Sequence, residues 1–131
     1  MRRNYFLILV SAAIIGGPVS AQTSAISPLA LVGKWKASES MPNGQVMSTE
    51  LVLTQNMRFS GSAAVAGNRF WEYAGSWKLD GRSITWHYES SSRPLPDAAK
   101  TDVDDIVSID SRALVLTSRV SGKRHEFVRA N

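Results

Sequence analysis

The sequence predicts an all-β domain, an eight-stranded antiparallel up-and-down β-barrel, with a two-sheet β-sandwich as the alternative. Three observations lead there. Apolar and polar residues alternate at period two through most of residues 30–129, and no window there sustains a helical period. Gly, Asn, Asp, Ser and Pro recur between the alternating segments. Eight short strands paired in sequence would leave two exposed edges if laid flat, and closure into a barrel removes both. Such a barrel is just wide enough to be filled by side chains or to hold one small ligand.

The N-terminus stands apart from this pattern. Met1-Arg2-Arg3-Asn4 is a short basic start, Tyr5 to Gly17 is almost continuously apolar, and Pro18-Val19-Ser20-Ala21 places small residues at −3 and −1. This is the layout of a secretory signal peptide over residues 1–21, cleaved after Ala21, and it is too short for a stable membrane anchor. The expected location is the periplasm or the exterior. No cysteine follows the apolar run, which excludes a lipoprotein anchor. The remaining chain is 131 less 21, or 110 residues, one domain of ordinary size. It carries 15 less 2 basic residues against 11 acidic ones, a net charge of +2. With no stripe of Lys or Arg, and with export, nucleic acid is not an expected partner. The absence of cysteine means that no disulfide supports the fold. Residues 22–29 are polar and small and read as a mobile arm ahead of the barrel domain, residues 30–131.

The strands are expected at 30–38, 47–54, 58–66, 69–79, 82–89, 103–109, 112–120 and 123–129. Inward Leu51 and Leu53 must meet inward Phe59 and Gly61, which demands an odd-length loop around Asn56. The stretch YAGSWKLDGRSITWHY, residues 73–88, is the most legible hairpin. Asp80-Gly81 reads as a two-residue type I′ turn. It pairs Trp77 with Ile84, Gly75 with Trp86 and Tyr73 with Tyr88 on an inward face that includes Trp71. Ser76, Lys78 and His87 then face solvent, and Glu72 opposes Glu89.

Ser90 to Asp102, SSSRPLPDAAKTD, breaks the run of short turns. Loops of this length are binding loops, lids or loose crossovers. Beyond it, Asp110-Ser111 and Ser121-Gly122 suggest two further tight turns. They pair Val107 with Leu114, Asp105 with Leu116, Leu116 with Phe127, Leu114 with Arg129 and Ser118 with His125. The inward row would then hold Val103, Val107, Leu114, Leu116 and Phe127 beside Asp105, Ser118, His125 and Arg129, polar groups that are costly to bury unpaired. A slip of one residue instead turns Ile106, Val115 and Val128 inward. The sequence leaves both registers open.

The segment Gly33-Lys34-Trp35, together with Arg129 near the C-terminus, resembles the closure of a lipocalin-type (calycin) barrel. In that superfamily a Gly-x-Trp opens the first strand, and a basic residue from the last strand covers the tryptophan. Thr101-Asp102 is similar to the Thr-Asp that precedes a late strand there, and Gly75-Ser76-Trp77 to the second Gly-x-Trp of small bacterial relatives. The resemblance implies carriage of small apolar molecules, with Gly33, Trp35 and Arg129 as structural barrel closure. The chain lacks the disulfide and the C-terminal helix usual in lipocalins.

Catalytic motifs are nearly absent: no Cys nucleophile, no Gly-x-Ser-x-Gly, no phosphate-binding glycine loop and no HExxH. The only histidines are His87, a surface residue near two glutamates, and His125, which with Ser118 and Asp105 is either a polar hook for a ligand or an internal network. No metal or other cofactor is expected. The aromatic set Trp71, Tyr73, Trp77, Trp86 and Tyr88, with His125, is the candidate ligand site. Rings of this kind build ordinary cores as well as pockets. The small inward residues Gly61, Ala63 and Gly75 tilt the choice toward a cavity. The expected function is non-enzymatic binding of a small apolar or amphipathic molecule. The second reading is a protein-binding barrel, such as a secreted-protease inhibitor working through the N-terminal arm and loops. Avidin-like biotin binding and catalysis follow behind. Oligomeric state is not legible.

Overall fold

In the computed structural model, which describes residues 25–130, eight antiparallel strands close into one up-and-down barrel. A short helix α1 (Pro28–Leu31) precedes β1 (Gly33–Ser40), β2 (Val46–Leu53), β3 (Arg58–Val65), β4 (Asn68–Asp80) and β5 (Ser83–Ser91). A 3₁₀ turn, Asp97–Ala99, sits in the long connection, and β6 (Thr101–Ile109), β7 (Ala113–Ser118) and β8 (Arg124–Ala130) complete the ring. Each strand pairs with its sequence neighbours, and β1 closes on β8 through Lys34–Ala130, Trp35–Arg129 and Lys36–Val128. The signal peptide expected over residues 1–21 lies outside the described residues.

Of the arm expected over residues 22–29, residues 22–24 are likewise outside them. In the rest, Ile26 packs on the core, Ser27 caps α1 by accepting from the Leu29 N–H, Pro28 occupies its first turn, and Leu29 is exposed. The first strand therefore starts at Gly33 rather than at residue 30. Proline and the serine cap favour one helical turn there, and Leu31 is fully buried at the barrel end.

The inward rows follow the alternation. Leu53 opposes Phe59 and Leu51 opposes Gly61 across the odd-length connection. The β4–β5 hairpin departs from its expected register. Asp80 opposes Ser83, so the loop residues are Gly81 and Arg82, with only Gly81 at positive φ (63°). Trp77 therefore faces Trp86, Leu79 faces Ile84 and Gly75 faces Tyr88. The shift is two residues, an even number, so every side chain keeps its expected face. A bulge between Ala74 and Gly75 then sets Tyr73 against Ser91. It also separates Glu72 from Glu89, which pair instead with Arg69 and Arg58. Two successive positive φ values occur at Ala66-Gly67, between β3 and β4, the signature of a type I′ turn.

The C-terminal hairpins combine the two registers considered. Leu114 faces Phe127 and Leu116 faces His125, again two residues from expectation and on the expected face. In β6 the alternative face is the inward one. Ile106 opposes Leu116 and Asp104 opposes Ser118, and an irregularity between Ile106 and Ser108 brings Ile109 opposite Leu114. Asp105 and Val107 thus point outward, the reverse of the first register, while Val128 is exposed. The irregularity supplies the reason. The turn, where Asp110 accepts from the N–H groups of Arg112 and Ala113, moves the pairing by two residues and keeps Ile109 on its expected row, and the extra residue at Val107 then reverses the parity of the rest of β6.

The barrel has two unlike ends. At one, Trp35, Leu31, Leu53, Ile84 and Leu114 are completely or almost completely buried. The other end, framed by the 41–45, 92–100 and 119–123 connections, is open.

Candidate functional site

Closure of the first end is built on Trp35. Its indole N–H donates to the Leu31 carbonyl at 2.9 Å, and the Arg129 guanidinium lies 4.1 Å over its ring. Arg129 also donates to the carbonyls of Ala30, Val32 and Ser111 at 2.8–3.0 Å. One cation thereby ties α1, the β6–β7 turn and β8 together over the indole face. Gly33 is required twice over. Its φ is +137°, and a Cβ there would collide with Arg129 Nη1. The Gly-x-Trp segment and Arg129 thus meet at the sealed end.

The open end leads into a cavity of about 580 Å³. Phe59 forms its base, edge-on to Trp86 (5.1 Å between ring centres) and Tyr88 (5.3 Å). Tyr73 and Trp71 continue the wall, 4.4 Å apart, with Trp71 nearly parallel to Tyr88 at 6.3 Å. Five rings therefore cover one side. The rest of the lining is mixed: Asp102 and Asp104 on β6, where Asp102 is the cross-strand partner of Trp86, and then Leu116, Ser118, His125 and Phe127 from β7 and β8. Arg93, Pro94 and Leu95 of the long connection lie at the mouth, with Arg93 5.5 Å over the Phe70 ring.

Five of the six side chains expected at a ligand site, Trp71, Tyr73, Trp86, Tyr88 and His125, line this cavity. Trp77 does not. It is buried below the cavity base and donates its indole N–H to the Arg58 carbonyl. Two glycines expected to leave empty volume do not leave any. Tyr73 occupies the space beside Gly61, while at Gly75 the bulge brings the His87 carbonyl where a Cβ would stand. Of the three small residues only Ala63 borders the cavity. His87 lies on the outer surface beside Thr101. Asp105 is turned outward and bound by Arg119 and Ser83, so the set of His125, Ser118 and Asp105 is not assembled.

The sequence reasoning missed Phe59 as a wall and Asp102 and Asp104 as the acidic pair of the cavity. A signal for the pair existed in the alternation Asp102-x-Asp104-x-Ile106, which places both carboxylates on the row of a buried isoleucine. Asp104 accepts from the Trp86 indole N–H at 2.8 Å. Burial pushes its carboxyl above the usual carboxylate range and the Asp102 charge adds to this, while the indole bond and His125 oppose it. Burial also pushes the Tyr73 phenol up to about 12, and raises Tyr88 further, with Tyr73 and the two aspartates contributing. The cavity is thus a weakly solvated aromatic chamber with carboxylates on one wall. Among the described residues no three His, Cys, Asp or Glu side chains gather to hold a metal ion.

No protein-family model and no curated protein matches the chain.

Proposed function

We propose that the protein is an exported, lipocalin-like binding protein that holds one small apolar or amphipathic molecule in the open end of its barrel. The observation that carries this reading is the contrast between the ends. One is sealed by Trp35 and Arg129, while the other opens into an aromatic-walled chamber of about 580 Å³. That volume falls within the range of small-molecule sites, and apolar walls with a few placed polar groups are their usual composition. The packing of Ile26 and α1 on the barrel favours this over a protein-binding arm, because it leaves less of the N-terminal segment free. No catalytic step is assigned to the site.

Native mass spectrometry on protein purified from its natural compartment tests the reading. A co-purifying small molecule is expected, and it should be lost in Trp71→Ala and Tyr88→Ala while Val107→Ala, at an exposed outer position, retains it. A bare mass, under conditions that preserve weak complexes, would count against a carrier.

A further inference from the structure

The chemistry of the cavity wall narrows the ligand class. Seven acidic side chains among the described residues form ion pairs: Glu39, Glu50, Glu72, Glu89, Asp97, Asp105 and Glu126. None of these pairs lies inside the chamber, and the one at its rim joins Glu39 to Lys123 at 2.8 Å. Asp102 and Asp104, both facing the cavity, have no cationic side chain within ion-pair distance among the described residues. The mouth cations are engaged elsewhere, Lys123 by Glu39 and Arg93 over Phe70. Two carboxylates therefore stand beside the aromatic wall, on the strand paired with Trp86, with no ion-pair partner among the described residues; His125, on the same cavity, is the basic group that acts on Asp104. A desolvated carboxylate lacking a counter-ion is unfavourable, and a ring face attracts cations through its quadrupole.

We infer that the chamber selects organic cations: molecules with a flat or compact apolar body and one ammonium group, the body against the rings and the ammonium between Asp102 and Asp104. This rests on the small-molecule reading above and specifies its ligand. The indole bond from Trp86 holds Asp104 in place before a ligand arrives, so the acceptor is preorganised.

A matched set of probes separates the two readings. Titration calorimetry on the purified protein would use 2-(1-naphthyl)ethylamine, 2-(1-naphthyl)ethanol and 1-naphthylacetate, which share a ring system and differ in charge. The amine is expected to bind at least tenfold more tightly than the alcohol, and the carboxylate more weakly than either. Asp104→Asn can still accept from the Trp86 N–H, and it should bring the amine to within about threefold of the alcohol without weakening the alcohol. Asp102→Asn should reduce the preference in the same direction, and provides the test if Asp104→Asn does not fold. Equal binding of amine and alcohol, or tighter binding of the carboxylate, overturns the cation preference and leaves a neutral-ligand carrier standing. No binding by any of the three overturns both readings.

Discussion

The four tryptophans divide the barrel into two regions that use the same side chain differently. Trp35 and Trp77 are buried, and each donates its N–H to a main-chain carbonyl, Leu31 and Arg58 respectively. Trp71 and Trp86 border the cavity, and each donates to a side chain, Ser91 Oγ at 2.8 Å and Asp104 Oδ2 at 2.8 Å. A main-chain acceptor is fixed by the fold, so the first pair is locked wherever the barrel is formed. The second pair instead borders the cavity, and the Asp104 acceptor of Trp86 is itself part of its lining, so an occupant is felt at these indoles. The first region holds the structure, and the second holds the proposed site.

Substitutions should separate the regions by the size of their effect on stability. The largest loss is expected at the sealed end. Trp35→Ala removes a fully buried indole and the platform for Arg129, and should cost about 3–5 kcal/mol in urea unfolding. Arg129→Ala comes next, at roughly 2–3 kcal/mol, because three carbonyls lose a charged donor. Arg129→Lys should recover less than half of that, since a single ammonium cannot reproduce the fork. Gly61→Ala is intermediate. Its methyl group meets the Tyr73 ring, so the tyrosine must leave the wall, with a loss of about 1–3 kcal/mol and weaker probe binding. At the open end, Trp71→Phe keeps a ring but loses the bond to Ser91, and should lower stability by only about 1 kcal/mol. A Trp71→Phe effect as large as that of Trp35→Ala would erase the distinction between the regions.

The pH dependence offers a finer comparison. Tyr73 should ionise near pH 12 rather than near the ordinary value of about 10, visible as delayed phenolate absorbance in an alkaline titration. Its neutral form is favoured in the folded state, so this contribution to stability is intact below about pH 10 and is lost as pH rises toward 12. Asp104 follows the same sign in the acid range. Its carboxyl is raised by burial, so its contribution is intact below the ordinary aspartate value and lost as pH climbs through the raised one. Asp104→Asn should therefore be at least as stable as the parent at neutral pH. The lowered carboxyls of Glu89, Asp105 and Asp110 act in the opposite direction, adding stability above their ordinary values that disappears on acidification.

Faces were more legible in the sequence than partners. Alternation places Trp71, Tyr73, Trp86 and Tyr88 on the inner row whatever the turn does, since shifts of two residues preserve the row. Which residues oppose each other depends on turn length and on bulges. Those at Ala74–Gly75 and between Ile106 and Ser108 are set by backbone packing that no local pattern announces. The acidic pair was hidden for this reason: the expected unbroken pairing from Asp110-Ser111 put Asp105 inward, and the irregularity between Ile106 and Ser108 puts Asp102 and Asp104 there instead. The assignment of Trp35 and Arg129 to the sealed end came from family resemblance rather than from alternation. Trp77 illustrates the remaining gap. Being on the inner row does not tell whether a ring meets the core or the cavity; that depends on height along the barrel.

The most direct test of the division is to follow the four indole N–H resonances in a ¹H–¹⁵N spectrum during titration with 2-(1-naphthyl)ethylamine. The resonances of Trp71 and Trp86 should move together and saturate, and those of Trp35 and Trp77 should stay in place. Movement of the Trp35 or Trp77 resonance with no change at Trp71 and Trp86 would contradict the account.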